Sequence, residues 1–317
     1  MNFCGIKVES NFFLAPMAAI TNLPFRLLCK NYGAGLVFTE QINATRIALN
    51  PDSFSNSEFE IIKTIESEKP VGVQLFGSNP KDFALAVEAV EKNFDLININ
   101  CGCPSQKEVS IGAGAALLKS PEKIVSIIEH VKPITEKPLT IKMRLGWSTN
   151  EALKIVKEIE KAGADAIIIH GRTALQGYSG FADWNAIKLI KSQTSLPLVA
   201  NGDVDSGRKA EQLLMETNCE FGMVGRAAMS NPFVFKSIND WFFKGFEFVP
   251  SNKEKISLFF EYAKICESLG FNDFQDLKLK AIQFTKGIEF SAKLRSKLSL
   301  AKSKEELFSC MEEFLSI

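Results

Sequence analysis

Short apolar runs punctuate the chain as far as Val224, at Phe12–Ala15, Leu36–Thr39, Val71–Phe76, Asp95–Asn100, Leu139–Leu145, Ala166–His170, Leu196–Ala200 and Phe221–Val224. Each has the length and β-rich composition of a buried strand, and helix-compatible segments lie between most of them. Eight strands alternating with helices predict an α/β fold, a (β/α)8 TIM barrel. A doubly wound sheet is the competing arrangement. No Gly-x-Gly-x-x-Gly follows any strand, no Walker-type Gly-Lys pair occurs, and there is no repeat of fixed period or low-complexity tract. Past residue 240 the pattern changes. Trp241-Phe-Phe and Phe246–Pro250 read as a linker against the barrel. Lys253–Leu269, Phe274–Lys286, Ser291–Leu300 and Lys304–Phe314 suit helices of a small bundle. The predicted division is a barrel domain over residues 1–240 and a small C-terminal all-helical domain over residues 241–317.

The polar positions gather where the strands end. In Asp95–Asn100 the alternation puts Ile97 and Ile99 on one face and Asn98 and Asn100 on the other. Cys103 follows on a Gly-Cys-Pro turn, with Gly102 free in its backbone angles and Pro104 fixed in φ. The other strand ends offer Pro16-Met17-Ala18, Glu40, Gln74, Lys142 with Arg144, His170 with Arg172, Asn201-Gly202-Asp203, and Gly225-Arg226. A barrel builds its active site from these ends, and the loops after the seventh and eighth strands commonly hold a phosphate.

Composition narrows the picture. The chain has 317 residues, 46% of them hydrophobic, enough for a sizeable core. Lys+Arg and Asp+Glu balance at 37 each, so distribution matters more than total. Between Lys278 and Lys304 there are eight Lys/Arg against one acid, Glu289. Such a run is either a solvated helix face or a surface for a polyanion. Seven cysteines without framework spacing, no leader and no apolar run near ~18 residues predict a reduced, cytoplasmic protein. With only His130 and His170, and no second pair beside Cys101 and Cys103, no metal site is expected. Cys4, Cys29, Cys219, Cys266 and Cys310 read as small apolar fillers. Tyr178 and Trp184 read as packing residues. Glu40 either pairs with a nearby Arg or serves the site.

An ordered set of segments resembles the tRNA-dihydrouridine synthases, flavin enzymes that reduce selected uridines in tRNA. The set comprises Leu14-Ala-Pro-Met-Ala-Ala-Ile-Thr-Asn-Leu-Pro-Phe-Arg26, Val73-Gln-Leu-Phe-Gly77, Asn100-Cys-Gly-Cys-Pro104, Gly112-Ala-Gly-Ala-Ala-Leu117, Ile141-Lys-Met-Arg-Leu-Gly-Trp147, His170-Gly-Arg-Thr173, Gln176-Gly-Tyr-Ser-Gly180, Asn201-Gly-Asp203 and Val224-Gly-Arg226. Ala19 and Asn22 depart from it, standing where the family often carries Gly and Asp.

The resemblance implies FMN at the barrel mouth, with Pro16, Met17 and Ala18 along the ring and Gln74 at its polar edge. Lys142 would sit beside N1 and O2, and His170 at the ring or phosphate. Asn201, Gly202, Asp203, Gly225 and Arg226 would lie near ribityl and phosphate. It implies NADPH as a transient reductant using the same mouth, then hydride transfer to C6 of uracil while Cys103 protonates C5. A thiol with pKa about 8.5 keeps its proton near neutrality. Asn100, Arg144 and Arg172 become substrate contacts. Lys293, Arg295 and Lys297 become tRNA contacts on the helical domain, with the target uridine extruded into the mouth. Neither a membrane nor an obligate protein partner is implied. Two other functions fit parts of the sequence: a flavin barrel acting on a free pyrimidine, in the manner of dihydroorotate dehydrogenases, and a non-catalytic RNA-binding module.

Overall fold

A computed structural model describes residues 1–56, 59–289 and 291–315. The chain opens with an antiparallel hairpin, β1 (Asn2–Phe3) and β2 (Ile6–Lys7). Eight parallel strands follow: β3 (Phe12–Leu14), β4 (Val37–Asn43), β5 (Val71–Phe76), β6 (Leu96–Cys101), β7 (Leu139–Arg144), β8 (Ala166–His170), β9 (Leu198–Asn201) and β10 (Phe221–Val224). They pair in the order β3-β10-β9-β8-β7-β6-β5-β4. At the remaining seam the Leu14 N–H donates to the Leu36 carbonyl at 2.9 Å. Helices surround this nearly closed barrel, so the expected α/β barrel is the fold.

Alternation along the strands divides the barrel interior into two storeys. Phe13, Phe38, Leu96, Ile168, Val199, Phe221 and Met223 fill the lower one as a buried apolar cluster. Phe3 of the hairpin plugs its floor, with ring centroids 5.1 Å from those of Phe13 and Phe221. Two residues further along the same faces the inward side chains become polar: Asn98 and Asn100 on β6, Lys142 and Arg144 on β7, His170 on β8 and Asn201 on β9. The outward set, Ile97, Ile99, Cys101, Ile141, Met143, Ile167 and Ile169, packs beneath the helices in the main hydrophobic cluster.

The strands were expected to end close to where they do, with one exception. β4 runs on to Asn43, and its register with β5 slips between Phe38 and Gln41. An extra residue in a strand breaks the period-two pattern that would have revealed it. The helix Val234–Lys244 carries straight through residue 240, so Trp241-Phe-Phe is its last turn and not linker. Gly245, at φ +74°, ends that helix, and the change in architecture falls in the following segment to Pro250.

Helices Asn252–Ser268, Phe274–Phe284, Ser291–Leu300 and Lys304–Leu315 then form the C-terminal unit. It docks on the barrel helix Leu23–Asn31 through a buried polar knot. Asn22 caps that helix by accepting from the Phe25 N–H, and its Nδ2 donates to Tyr262 Oη at 3.0 Å and Asp276 Oδ1 at 2.9 Å. Lys280, wholly buried, donates to the Ile20 carbonyl at 2.8 Å. Among the described residues, no helix is long and apolar enough to cross a membrane.

Candidate functional site

A cavity of about 580 Å³ opens at the C-terminal ends of the strands. One wall is a chain of buried amides. Asn98 Nδ2 donates to Thr140 Oγ1 (2.8 Å), Gln74 Nε2 to Asn98 Oδ1 (2.7 Å), and Asn100 Nδ2 to both Gln74 Oε1 (3.0 Å) and Gln41 Oε1 (2.7 Å). Each amide satisfies its neighbour, which fixes the amide orientations in a place where an unpaired group would be costly.

The opposite wall is cationic. Lys142 is half-buried on the cavity wall, with Nζ 3.3 Å from Asn201 Oδ1; burial, then the neighbouring Arg144, lower its pKa to about 8. Register places Arg144 beside His170 and His170 beside Asn201. Burial, followed by the charges of Lys142, Arg144, Arg172 and Arg226, lowers His170 to about 2, so its imidazole is neutral. Arg172 forms a bidentate pair with Asp203 (2.9 and 2.8 Å) and also donates to the carbonyls of Ser179 (3.1 Å) and Gly180 (2.6 Å). Asp203 also accepts from Arg226 at 2.9 Å and from the Ala182 N–H at 2.7 Å. Burial pushes its carboxyl up, but these hydrogen bonds and both guanidinium groups carry it below the usual range. Arg144 ties two loops together, donating to the carbonyl of Gly102 after β6 and to those of Thr173 and Gly177 after β8 at 2.8–2.9 Å. Five cationic side chains thus face two carboxylates around the cavity, Lys209 and Asp205 pairing with each other at its edge.

Cys103 lies between the walls. Asn100 Oδ1 accepts from both Gly102 N–H (3.0 Å) and Cys103 N–H (2.9 Å), so the strand's last polar residue anchors the turn. Gly114, at φ +59°, passes so close that a Cβ there would stand 2.7 Å from the Cys103 carbonyl oxygen. Cys103 Sγ is 3.9 Å from Glu108 Oε2. Cys101 points the other way, into the layer beneath the helices, which separates it from Cys103 and from any paired-cysteine chemistry.

Met17, Gln74, Asn100, Cys103, Lys142, Arg144, His170, Arg172, Asn201, Gly202, Asp203, Gly225 and Arg226 all line the one cavity. Pro16 and Ala18 adjoin it without lining it. Lys293 and Lys297 are exposed on the helical unit, with Lys297 paired to Glu313. Arg295 is half-buried and donates to the Thr285 carbonyl at 3.0 Å. The basic run is less available than its charge count predicts, because Lys278 turns back onto the Ala301 carbonyl (2.8 Å) and Lys280 lies in the barrel interface.

Glu40 pairs with no arginine: Arg26 is taken by buried Glu68, and Glu40 Oε2 accepts the Ala19 N–H at 2.5 Å. Tyr178 is exposed, with Arg226 4.6 Å above its ring, whereas Trp184 packs and donates to the Gly202 carbonyl at 3.2 Å. Sequence reasoning missed Gln41 and Glu108. The first is hidden by the bulge in β4, and the second has no spacing signature.

A family model described as dihydrouridine synthase matches residues 13–316, barrel and helical unit together. The probable tRNA-dihydrouridine synthase of Aquifex aeolicus (strain VF5) is 35% identical over 320 residues, 96% of each chain. The tRNA-dihydrouridine synthase B of Pasteurella multocida (strain Pm70) is 36% identical over 240 residues, 74% of this chain and 71% of that one. Among solved structures, 2-naphthoyl-CoA reductase superposes with a TM-score of 0.63 at 11% identity, covering 76% of this chain and 51% of that one. Histamine dehydrogenase from Rhizobium sp. 4-9 gives 0.56 at 14%, covering 84% and 50%. The chain spans about half the length of those two structures, and at such identities the likeness is one of fold. The match in sequence runs through both the barrel and the helices behind it: this chain belongs to the dihydrouridine synthase family.

Proposed function

We propose that this protein reduces selected uridines of tRNA to 5,6-dihydrouridine in the cytoplasm, using FMN held at the barrel mouth and NADPH as reductant. The observation that carries this reading is the placement of a half-buried thiol, Cys103, on the same cavity as a half-buried lysine, Lys142, and a cluster of arginines.

The residues fit the cofactor. A phosphate-bearing ring system needs a deep cavity with excess positive charge, and five cations against two carboxylates supply that. Lys142 presents a half-buried ammonium to the cavity, and its hydrogen-bond partner, Asn201, is neutral, an arrangement that suits an electron-rich partner there. Lys142, Gln74 and His170 would hold the ring, and Met17 would lie along it. Asn201, Gly202, Asp203, Gly225 and Arg226 would hold ribityl and phosphate. When bound, FMN would supply the hydride that NADPH provides and C6 of uracil receives.

The chain's own part is to bring the base in, orient it and give C5 a proton. Cys103 is the proton donor, kept in place by Asn100. Arg144, on the cavity wall, holds the Cys103 loop through the Gly102 carbonyl with Nε and two further carbonyls with Nη1, and its remaining guanidinium edge would face a uracil carbonyl. Arg172, committed to Asp203 and two carbonyls, acts by holding the Asp203 loop instead of touching RNA. Lys293 and Lys297 offer an exposed basic surface for phosphates, and Arg295 stiffens the turn beneath them.

The test is Cys103→Ala in purified protein. Its FMN should still be reduced by NADPH while dihydrouridine formation on tRNA falls by at least about 100-fold, the scale of general-acid catalysis. Undiminished dihydrouridine formation, or a purified wild-type protein that cannot be loaded with FMN, would overturn the reading.

A further inference from the structure

We propose that Glu108 is a positioning residue for the proton-delivery step, governing the protonation of Cys103 through the S–H···Oε2 contact. This rests on Cys103 being the proton donor. Glu108 belongs to the short helix Gln106–Ser110 and is 6% exposed. Its oxygens have separate partners: Oε1 accepts from Gln41 Nε2 at 2.9 Å, and Oε2 accepts from Cys103 Sγ at 3.9 Å. Gln41 is itself fixed by Asn100, whose Oδ1 holds the Cys103 N–H. The ring closes through Cys103 itself, whose backbone N–H is held by Asn100 and whose thiol meets Glu108.

Packing does not require a carboxylate there. Burying one is unfavourable, and an apolar side chain would fill the same space at lower cost. A buried carboxylate turned onto a half-buried thiol in a cleft is therefore an arrangement that tunes chemistry. Several groups face the sulfur: Glu108 and the Ser105 N–H from its own loop, the Gln41 amide from β4, and Arg144 and Lys142 from β7. Burial is the largest influence and raises the thiol pKa. The Ser105 N–H lowers it, the Glu108 carboxylate raises it, and Gln41 and Arg144 lower it, leaving it above the ordinary range.

The consequence is a thiol that keeps its proton at neutral and mildly alkaline pH. In the step itself the S–H bond breaks, a C–H bond forms at C5, and sulfur retains the electron pair as thiolate. Solvent then returns a proton to sulfur. Activity therefore requires the protonated form and is lost as pH rises through the thiol pKa. Removing the Glu108 charge moves that loss to lower pH.

The experiment uses the full chain loaded with FMN, with iodoacetamide as probe and alkylation at Cys103 followed by mass spectrometry of its peptide. Glu108→Gln should lower the pH midpoint of Cys103 alkylation by about one unit, as expected for loss of a neighbouring like charge. The alkaline limb of dihydrouridine formation should fall by the same amount. Glu108→Asp, which keeps the charge, should restore most of both. FMN retention by each variant reports that the mouth is intact. An unchanged alkylation midpoint in Glu108→Gln overturns the proposal. A lowered midpoint with an unmoved activity limb shows instead that Cys103 is not the proton donor, so the failure lies in the underlying reading.

Discussion

Ala19 and Asp203 both occupy left-handed backbone without being glycine, at φ +58° and +62°. Asp203 is held there by two arginines and the Ala182 N–H, so its strained backbone aims a carboxylate at the centre of the cationic wall. Ala19 has one such tie, the N–H given to Glu40, and its side chain is exposed. The left-handed conformation costs an alanine about 1–2 kcal/mol, while glycine adds about 0.4–1 kcal/mol of unfolded-chain entropy. Ala19→Gly should therefore stabilise the protein by about 0.5–1 kcal/mol, read from the midpoint of urea unfolding. A loss of stability would mean that the alanine methyl makes a contact outweighing its strain.

At the scale of elements, the knot between helix Leu23–Asn31 and helices Asn252–Ser268 and Phe274–Phe284 joins the two parts of the chain. Lys280 lies 4.0 Å from Asp276 and 4.0 Å from the Phe25 ring centroid, with its ammonium on the Ile20 carbonyl. Burial, opposed by Asp276, lowers its pKa to about 8. Lys280→Met leaves a buried carboxylate without its cation and should cost about 3–5 kcal/mol, the range for breaking a buried pair from one side. Lys280→Met with Asp276→Leu should recover much of that loss in the same unfolding experiment. If the double variant is no more stable than Lys280→Met alone, the two charges are not interacting. Lys280 also shows where reading the sequence stops. Its charge was legible within the run from Lys278 to Lys304, but its direction was not, because a lysine's apolar stem suits an interface as well as a surface. The strands were legible because their alternation has period two. Gln41 was lost where β4 breaks that period, and Glu108 because its hydrogen-bond partner is 67 positions away in sequence. Cys103, Asn100 and the cationic wall could be found because strand ends in a barrel converge wherever they fall in the chain.

For the molecule as a whole, the two storeys of the barrel carry a consequence for the order of events. The lower storey is solid, filled with side chains and stoppered by Phe3, so the polar storey above is closed from below and its doorway lies at the C-terminal ends of the strands. If NADPH and the tRNA nucleotide both use that doorway, they cannot occupy it together, and turnover becomes a matter of taking turns: oxidised nucleotide leaves before RNA enters. Initial rates should then give parallel lines in double-reciprocal plots, with tRNA in excess competing against NADPH. Intersecting lines would require a second entrance, which a floor packed with phenylalanine does not provide.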